Sequence, residues 1–177
     1  MRLMYENLDT AVDEVEFFRS LRKHRDYSNQ TFRKLPLGYE IECAVEVDGK
    51  VVGFCEFKRR HNKRHRYPTL ILSLRKYKQL ISYSYFESPA KLYVRWDDFD
   101  AVHVVRPQKI TYDIEWGGRT DRGDWQDREP VVHIPGEHFD VLPLGRERLD
   151  DAGRDRLERL LKADKSWTVG NDNDSSK

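Results

Sequence analysis

Glu40, Glu42, Glu56 and Lys58 lie in two runs, YEIECAVEV and KVVGFCEFK, on either side of an Asp48-Gly49 dipeptide. Carboxylates gathered beside a lysine suit a hard divalent cation. Mg²⁺ takes oxygen ligands, needs only one or two carboxylates, and completes its shell with water and phosphate. An ion held this way polarises a phosphoryl oxygen and activates a water, while a neighbouring lysine orients that water or stabilises the developing negative charge. The residue types therefore match the hydrolysis of a phosphodiester. The same alternation of Glu and Lys also serves the solvent side of an ordinary half-exposed sheet, as cross-strand ion pairs.

Register decides between these uses. A plain two-residue Asp48-Gly49 turn would set even positions of the first strand against odd positions of the second, leaving Glu42 and Glu56 on opposite faces. A three-residue loop with Gly49 left-handed, or a β-bulge, restores the parity. The apolar pattern favours restoration, because Ile41, Cys43, Val45, Val51, Cys55 and Phe57 are all odd-numbered and are expected to share the buried face. Glu40, Glu42, Glu56 and Lys58 then share the other, where their carboxylates repel unless a cation offsets them.

The elements that must position this hairpin are legible from periodicity. Leu8, Ala11, Val15, Phe18 and Leu21 recur at helical spacing to about Arg25, with Asp9 or Thr10 as N-cap. Gln30 to Leu37 reads as a strand, and residues 39–47 and 51–58 as the two arms of the hairpin. A second helix begins near Ser73 and carries Lys76 and Lys78 on its polar side. Strands follow in LYVRW, AVHVV, KITYDIEW and EPVVHIP, and Leu149 to Leu161 forms a terminal amphipathic helix. This order predicts an α+β fold: a mixed, mainly antiparallel sheet flanked by helices. One domain is expected over residues 1–145, a C-terminal helix within 146–163, and a disordered tail over 164–177.

Composition narrows the setting. In 177 residues, 38% are apolar and 36% charged, and no apolar run approaches the roughly 20 residues that span a bilayer. The amino terminus lacks the apolar stretch of a signal peptide. A cytoplasmic protein without a membrane partner is expected, with Cys43 and Cys55 as reduced core residues. No histidine has zinc-ligand spacing to a cysteine. The net charge of +1 conceals the segment KRRHNKRHR from Lys58 to Arg66, which holds six Lys or Arg and no acid. Arg59, Arg60, Lys63, Arg64 and Arg66 make it a candidate for contacting nucleic-acid phosphates; a solvated loop is the plainer use.

Taken together, YEIECAVEVDGKVVGFCEFKRR, YPTLILSLRKYKQLI and KLYVRW resemble the PD-(D/E)XK nuclease superfamily. They are most similar to small phage-encoded members with a Glu-x-Lys-x-Arg strand and a Tyr-Pro-Thr segment. The superfamily core runs helix, three strands, helix, strand, the order read above for residues 8–96. The resemblance implies a restriction-endonuclease-like core, an Mg²⁺ or Mn²⁺ site at Glu42 and Glu56, Lys58 as the catalytic lysine, and a supporting Lys76 near a substrate phosphate. It implies DNA as the partner, an endo- or exonuclease activity, and an assisting acid on the first helix, Glu14 or Glu16. A homodimer is left open.

This chain departs from the pattern at its first acid, where the family usually has Asp. The extra methylene of Glu42 moves the carboxylate outward by about one bond length, and the geometry that Mg²⁺ demands makes weaker binding or a Mn²⁺ preference the consequence. Glu40 is the alternative ligand. The segment GGRTDRGDWQDREP, residues 117–130, also resembles part of those phage proteins, either as a tied-down turn or as a substrate-facing loop. Two rivals to a nuclease remain: a binding module that kept the scaffold without turnover, and a phage structural or host-interaction protein.

Overall fold

The computed structural model describes residues 7–36, 38–85, 87–106, 112–118, 128–163 and 165–170. The first helix, α1 (Leu8–Arg22), starts where the Asn7 side chain accepts a hydrogen bond from the Thr10 amide at 2.8 Å. The cap thus falls two residues before Asp9, because Asn7 is extended and Asp9 is already helical. The helix buries Ala11, Val15, Phe18 and Leu21 as their spacing predicts, and Phe17 besides.

Three strands follow: β1 (Gln30–Lys34), β2 (Cys43–Val47) and β3 (Lys50–Arg59). Asp48 and Gly49 both have positive φ, 50° and 75°, so the turn is a two-residue connection of the type that Asp-Gly favours. Val47 faces Lys50 and Glu46 faces Val51, yet Val45 faces Gly53. Val52 is therefore the extra residue of a bulge, and beyond it Cys43 stands opposite Cys55. Parity is restored by the bulge and not by a longer loop.

The bulge also corrects the expectation for Val51, which is 49% exposed while Val52 packs on the core in its place. The first arm is shorter than the expected 39–47. Residues 39–42 bend away before the strand, and Ile41 is buried in the opposite layer, beside Leu80 and Leu92.

After β3 comes a strand that the sequence reading did not assign, β4 (Thr69–Ser73), leading directly into α2 (Leu74–Tyr83), which starts where the helix was expected. Then come β5 (Lys91–Arg95), β6 (Asp100–Val104), β7 (Ile114–Gly118), β8 (Arg128–Pro135) and β9 (Asp140–Leu142). The helix α3 (Asp151–Lys162) precedes a short β10 (Thr168–Val169). The strands make a seven-stranded sheet, β10-β1-β2-β3-β5-β6-β9, and a three-stranded sheet, β4-β8-β7. Every pairing is antiparallel except that of β3 with β5. This is the expected α+β architecture with a mixed, mainly antiparallel sheet.

One face of the large sheet packs on α1 and α3 through Phe17, Phe18, Phe32, Phe57, Tyr93 and Leu157. The other packs on α2 and the small sheet through Leu80, Leu92, Val94, Leu72, Val132 and Ile134. Cys43 and Cys55 are buried free thiols, in agreement with a core role. No helix among the described residues is long and apolar enough to cross a membrane.

The tail expected to be disordered from residue 164 is held at its start. Val169 pairs with Phe32 and Thr168 with Arg33. Trp167 is buried against Phe18, with ring centroids 5.7 Å apart. A single large indole is enough to anchor a segment whose neighbours are polar; residues 171–177 lie outside the described ones. Trp167→Ala is expected to lower the free energy of unfolding by about 3–5 kcal/mol, as measured by urea denaturation. A loss under about 1 kcal/mol would mean that β10 does not contribute to the fold.

Candidate active site

The side chains of interest converge at the end of the large sheet where β1, β2, β3 and α2 meet. Glu56 and Lys58 point from β3 toward the α2 layer, since they pair with Leu92 and Val94 of β5, which lie in that core. Lys76 points down from the first turns of α2. Its Nζ lies 2.5 Å from Glu56 Oε1 and 3.1 Å from Glu42 Oε1. Lys58 Nζ is 2.7 Å from the same Glu56 oxygen. The structure thus brings together Glu42, Glu56, Lys58 and Lys76.

Glu40 is not joined to them. The bend before β2 turns it outward to Arg75 and to Gln79, whose Nε2 donates to its Oε2 at 3.0 Å. Among the described residues no group of three acid, histidine or cysteine ligands gathers. Glu42 and Glu56 are the pair on offer.

Two further residues complete the cluster. Lys34, at the end of β1, bonds Glu42 on one side and donates to Glu14 on the other at 2.7 Å. Glu14 is therefore the first-helix acid that meets the site, while Glu16 accepts from the Leu149 amide and ties α1 to the start of α3. The sequence carried a signal for Lys34 that its reading passed over: a lysine at the same strand parity as Phe32, an inward position. The result is a chain of alternating charge, Glu14, Lys34, Glu42, Lys76, Glu56, Lys58. It rounds the sheet end from the α1 layer to the α2 layer.

Electrostatics follow from this packing. Burial alone would raise the Glu42 carboxyl, but the ammonium groups of Lys34, Lys76 and Lys58 outweigh it and hold the carboxyl at about 2. Burial would likewise lower Lys34 and Lys76, yet the facing carboxylates keep both above the ordinary lysine range. Glu56 is wholly buried, and its second oxygen, Oε2, meets no donor. A buried carboxylate oxygen without a partner is costly unless something else satisfies it. Two carboxylates with one oxygen unclaimed fit the donor set that Mg²⁺ or Mn²⁺ requires.

The basic segment divides by use. Arg59 donates to Asp97 at 2.6 Å, and Arg64 lies 5.5 Å over the Trp96 ring and packs against Gly136, where a Cβ would collide with its guanidinium. Arg60 donates to the Ile71 carbonyl at 2.7 Å. Lys63 and Arg66 are exposed. Of residues 117–130, Gly117 and Gly118 close β7 and Arg128 to Pro130 open β8; residues 119–127 lie outside the described ones.

Comparison with protein families meets this geometry from the other side: the family described as "Phage putative PDDEXK endonuclease" matches residues 1–142. The chain belongs to this family. Its matched span takes in α1 to β9, and so every residue of the charged cluster. Among curated proteins and among solved structures nothing matches.

The lowered Glu42 carboxyl gives a signed pH dependence. A carboxyl whose pKa falls on folding contributes stability above its unfolded value near 4.5, and loses it as pH drops toward 2. In metal-free buffer, Glu42→Gln should flatten the decline in unfolding free energy across that interval, read from urea titrations at stepped pH. An undiminished slope in the variant would assign the decline to other carboxylates.

Proposed function

We propose that this protein hydrolyses phosphodiester bonds in DNA, with a divalent cation held by Glu42 and Glu56. The observation that carries this reading is the meeting of two carboxylates, one from the bend before β2 and one from β3, beside Lys58, with the buried Oε2 of Glu56 unclaimed. Membership of a phage endonuclease family supports it. The cation, Mg²⁺ or Mn²⁺, supplies charge to polarise the scissile phosphate and to make a bound water nucleophilic at neutral pH.

The chain's own residues do the rest. Lys58, 24% exposed at its side chain, is open enough to donate to the attacking water or to a phosphoryl oxygen as negative charge develops. Lys76 supplies a second ammonium on the α2 side for the substrate phosphate. Lys34, pinned by Glu14, fixes Glu42 from behind so that its carboxylate stays beside Glu56. The exposed cations Lys63 and Arg66 extend the positive surface along which a DNA backbone lies, in the cytoplasm of an infected host.

One observation favours a second reading, DNA binding without turnover: the Lys76 ammonium lies between Glu42 and Glu56 and already occupies one oxygen of each. Purified protein, incubated with labelled single-stranded, duplex and branched DNA in Mg²⁺ or Mn²⁺, separates the two. The expected result is cleavage that EDTA abolishes, and that Glu56→Ala and Lys58→Ala each reduce by about 100-fold or more. Cleavage persisting in both variants would expose a contaminant, and salt-sensitive binding without cutting would establish the second reading.

A further inference from the structure

Arg60 stands at the next position of the parity that Glu56 and Lys58 share. The ladder with β5 still reaches it, since its amide donates to the Arg95 carbonyl at 2.8 Å. Its side chain is half-buried, and its contact with the described residues is the bond from Nη2 to the Ile71 carbonyl. A guanidinium carries five N–H donors in a rigid fork, and a single carbonyl occupies one. Burial pulls its pKa down, and no carboxylate acts to restore it.

Cations withdrawn from water are ordinarily paired with an acid. The neighbours of Arg60 obey this: Lys58 meets Glu56, Arg59 meets Asp97, and Arg95 meets Asp100. At Arg60 the described residues supply no such acid. The cost of a desolvated, acid-free guanidinium beside a phosphodiester site is recovered only when an anion arrives.

We propose that Arg60 is an anion receptor that grips the substrate phosphate adjacent to the one served by Lys58. This rests on the phosphodiester reading above and deepens it. Two residues along a strand span about 6.6 Å. That is on the scale of one nucleotide of a single DNA strand, whose axial rise of about 3.4 Å is only part of its helical path. The guanidinium fork fits two oxygens of one phosphate, which a lysine at this position does not reproduce. Lys58 and Arg60 together therefore fix which bond of the strand reaches Glu42 and Glu56.

The test is made without metal, so that it does not depend on turnover. Full-length protein is titrated with hexathymidylate in EDTA while arginine Nε–Hε signals are followed by NMR, and affinity is measured by fluorescence anisotropy over a range of salt. The signal missing from Arg60→Lys should move on adding the oligonucleotide and stay still on adding equal chloride. Arg60→Gln should weaken binding on the order of tenfold and lower the log–log salt slope by about 0.7, one single-strand phosphate contact. Arg60→Lys should keep the slope while recovering only part of the affinity.

A purely structural role, holding the Ile71 carbonyl, would lower the melting temperature of Arg60→Gln yet leave the salt slope and the NMR signal unchanged. That result would overturn the receptor. If the receptor behaves as described and cleavage is absent, the nuclease reading fails and the receptor stands. If Glu56-dependent cleavage is present and the Arg60 signal is inert, the reverse holds.

Discussion

The cluster at the sheet end exists because charged groups taken out of water must be matched one against another. Three carboxylates and three ammonium groups alternate there, and the inner ammonium groups each face two carboxylates: Lys34 between Glu14 and Glu42, and Lys76 between Glu42 and Glu56. Removing one member of a buried pair commonly costs about 3–5 kcal/mol, because its neighbour is left uncompensated. The chain of charge also couples the two layers of the fold. Lys34 reaches it from the α1 side of the sheet and Lys76 from the α2 side, so neither helix can shift without breaking an ion pair that the other side needs.

This constraint bears on where the surrounding elements begin and end. The strand β1 ends at Lys34, where the ammonium turns to meet Glu14, and the backbone pairing continues through the Leu35 amide and the Glu42 carbonyl. The strand β4 runs straight into α2, and its pairing with β8 sets where the first turns of that helix, and hence Lys76, can lie. The large aromatic core beneath α1 holds the opposite face: Phe17, Phe18, Phe32, Phe57 and Tyr93 pack within a few ångströms of one another. A stiff apolar layer on one side permits an expensive polar cluster at the edge.

Much of this is legible in the sequence. Alternation around Asp48-Gly49 gave the hairpin, and the odd parity of Cys43, Val45, Cys55 and Phe57 gave its buried face, because a half-buried sheet writes its period into the chain. What failed had local causes. A parity count calls for a longer loop or a bulge but says neither which nor where, so the bulge at Val52 turns Val51 outward against the expectation. The strand β4 is missed because TLILS is apolar on both parities, so its five residues show no alternation ahead of the helix that begins near Ser73. The strand β10 was lost because Trp167 and Val169 are isolated apolar residues in a polar tail. Lys34 escaped because a lysine in a short strand looks solvated until its parity is compared with that of Phe32.

Glu42 shows how a correct outcome can rest on a different cause. Parity would place it beside Glu56 by extending β2 backward, yet β2 begins at Cys43 and the residues before it bend toward the α2 layer. Its carbonyl accepts a hydrogen bond from the Leu35 amide, and its carboxylate is set by Lys34 and Lys76 instead of by the pleat. A side chain placed by ionic contacts tolerates a change of length better than one placed by a ladder. The extra methylene of Glu over Asp lets the carboxylate span two ammonium groups on opposite sides of the sheet. An acid that must also meet a buried lysine behind it needs this longer reach.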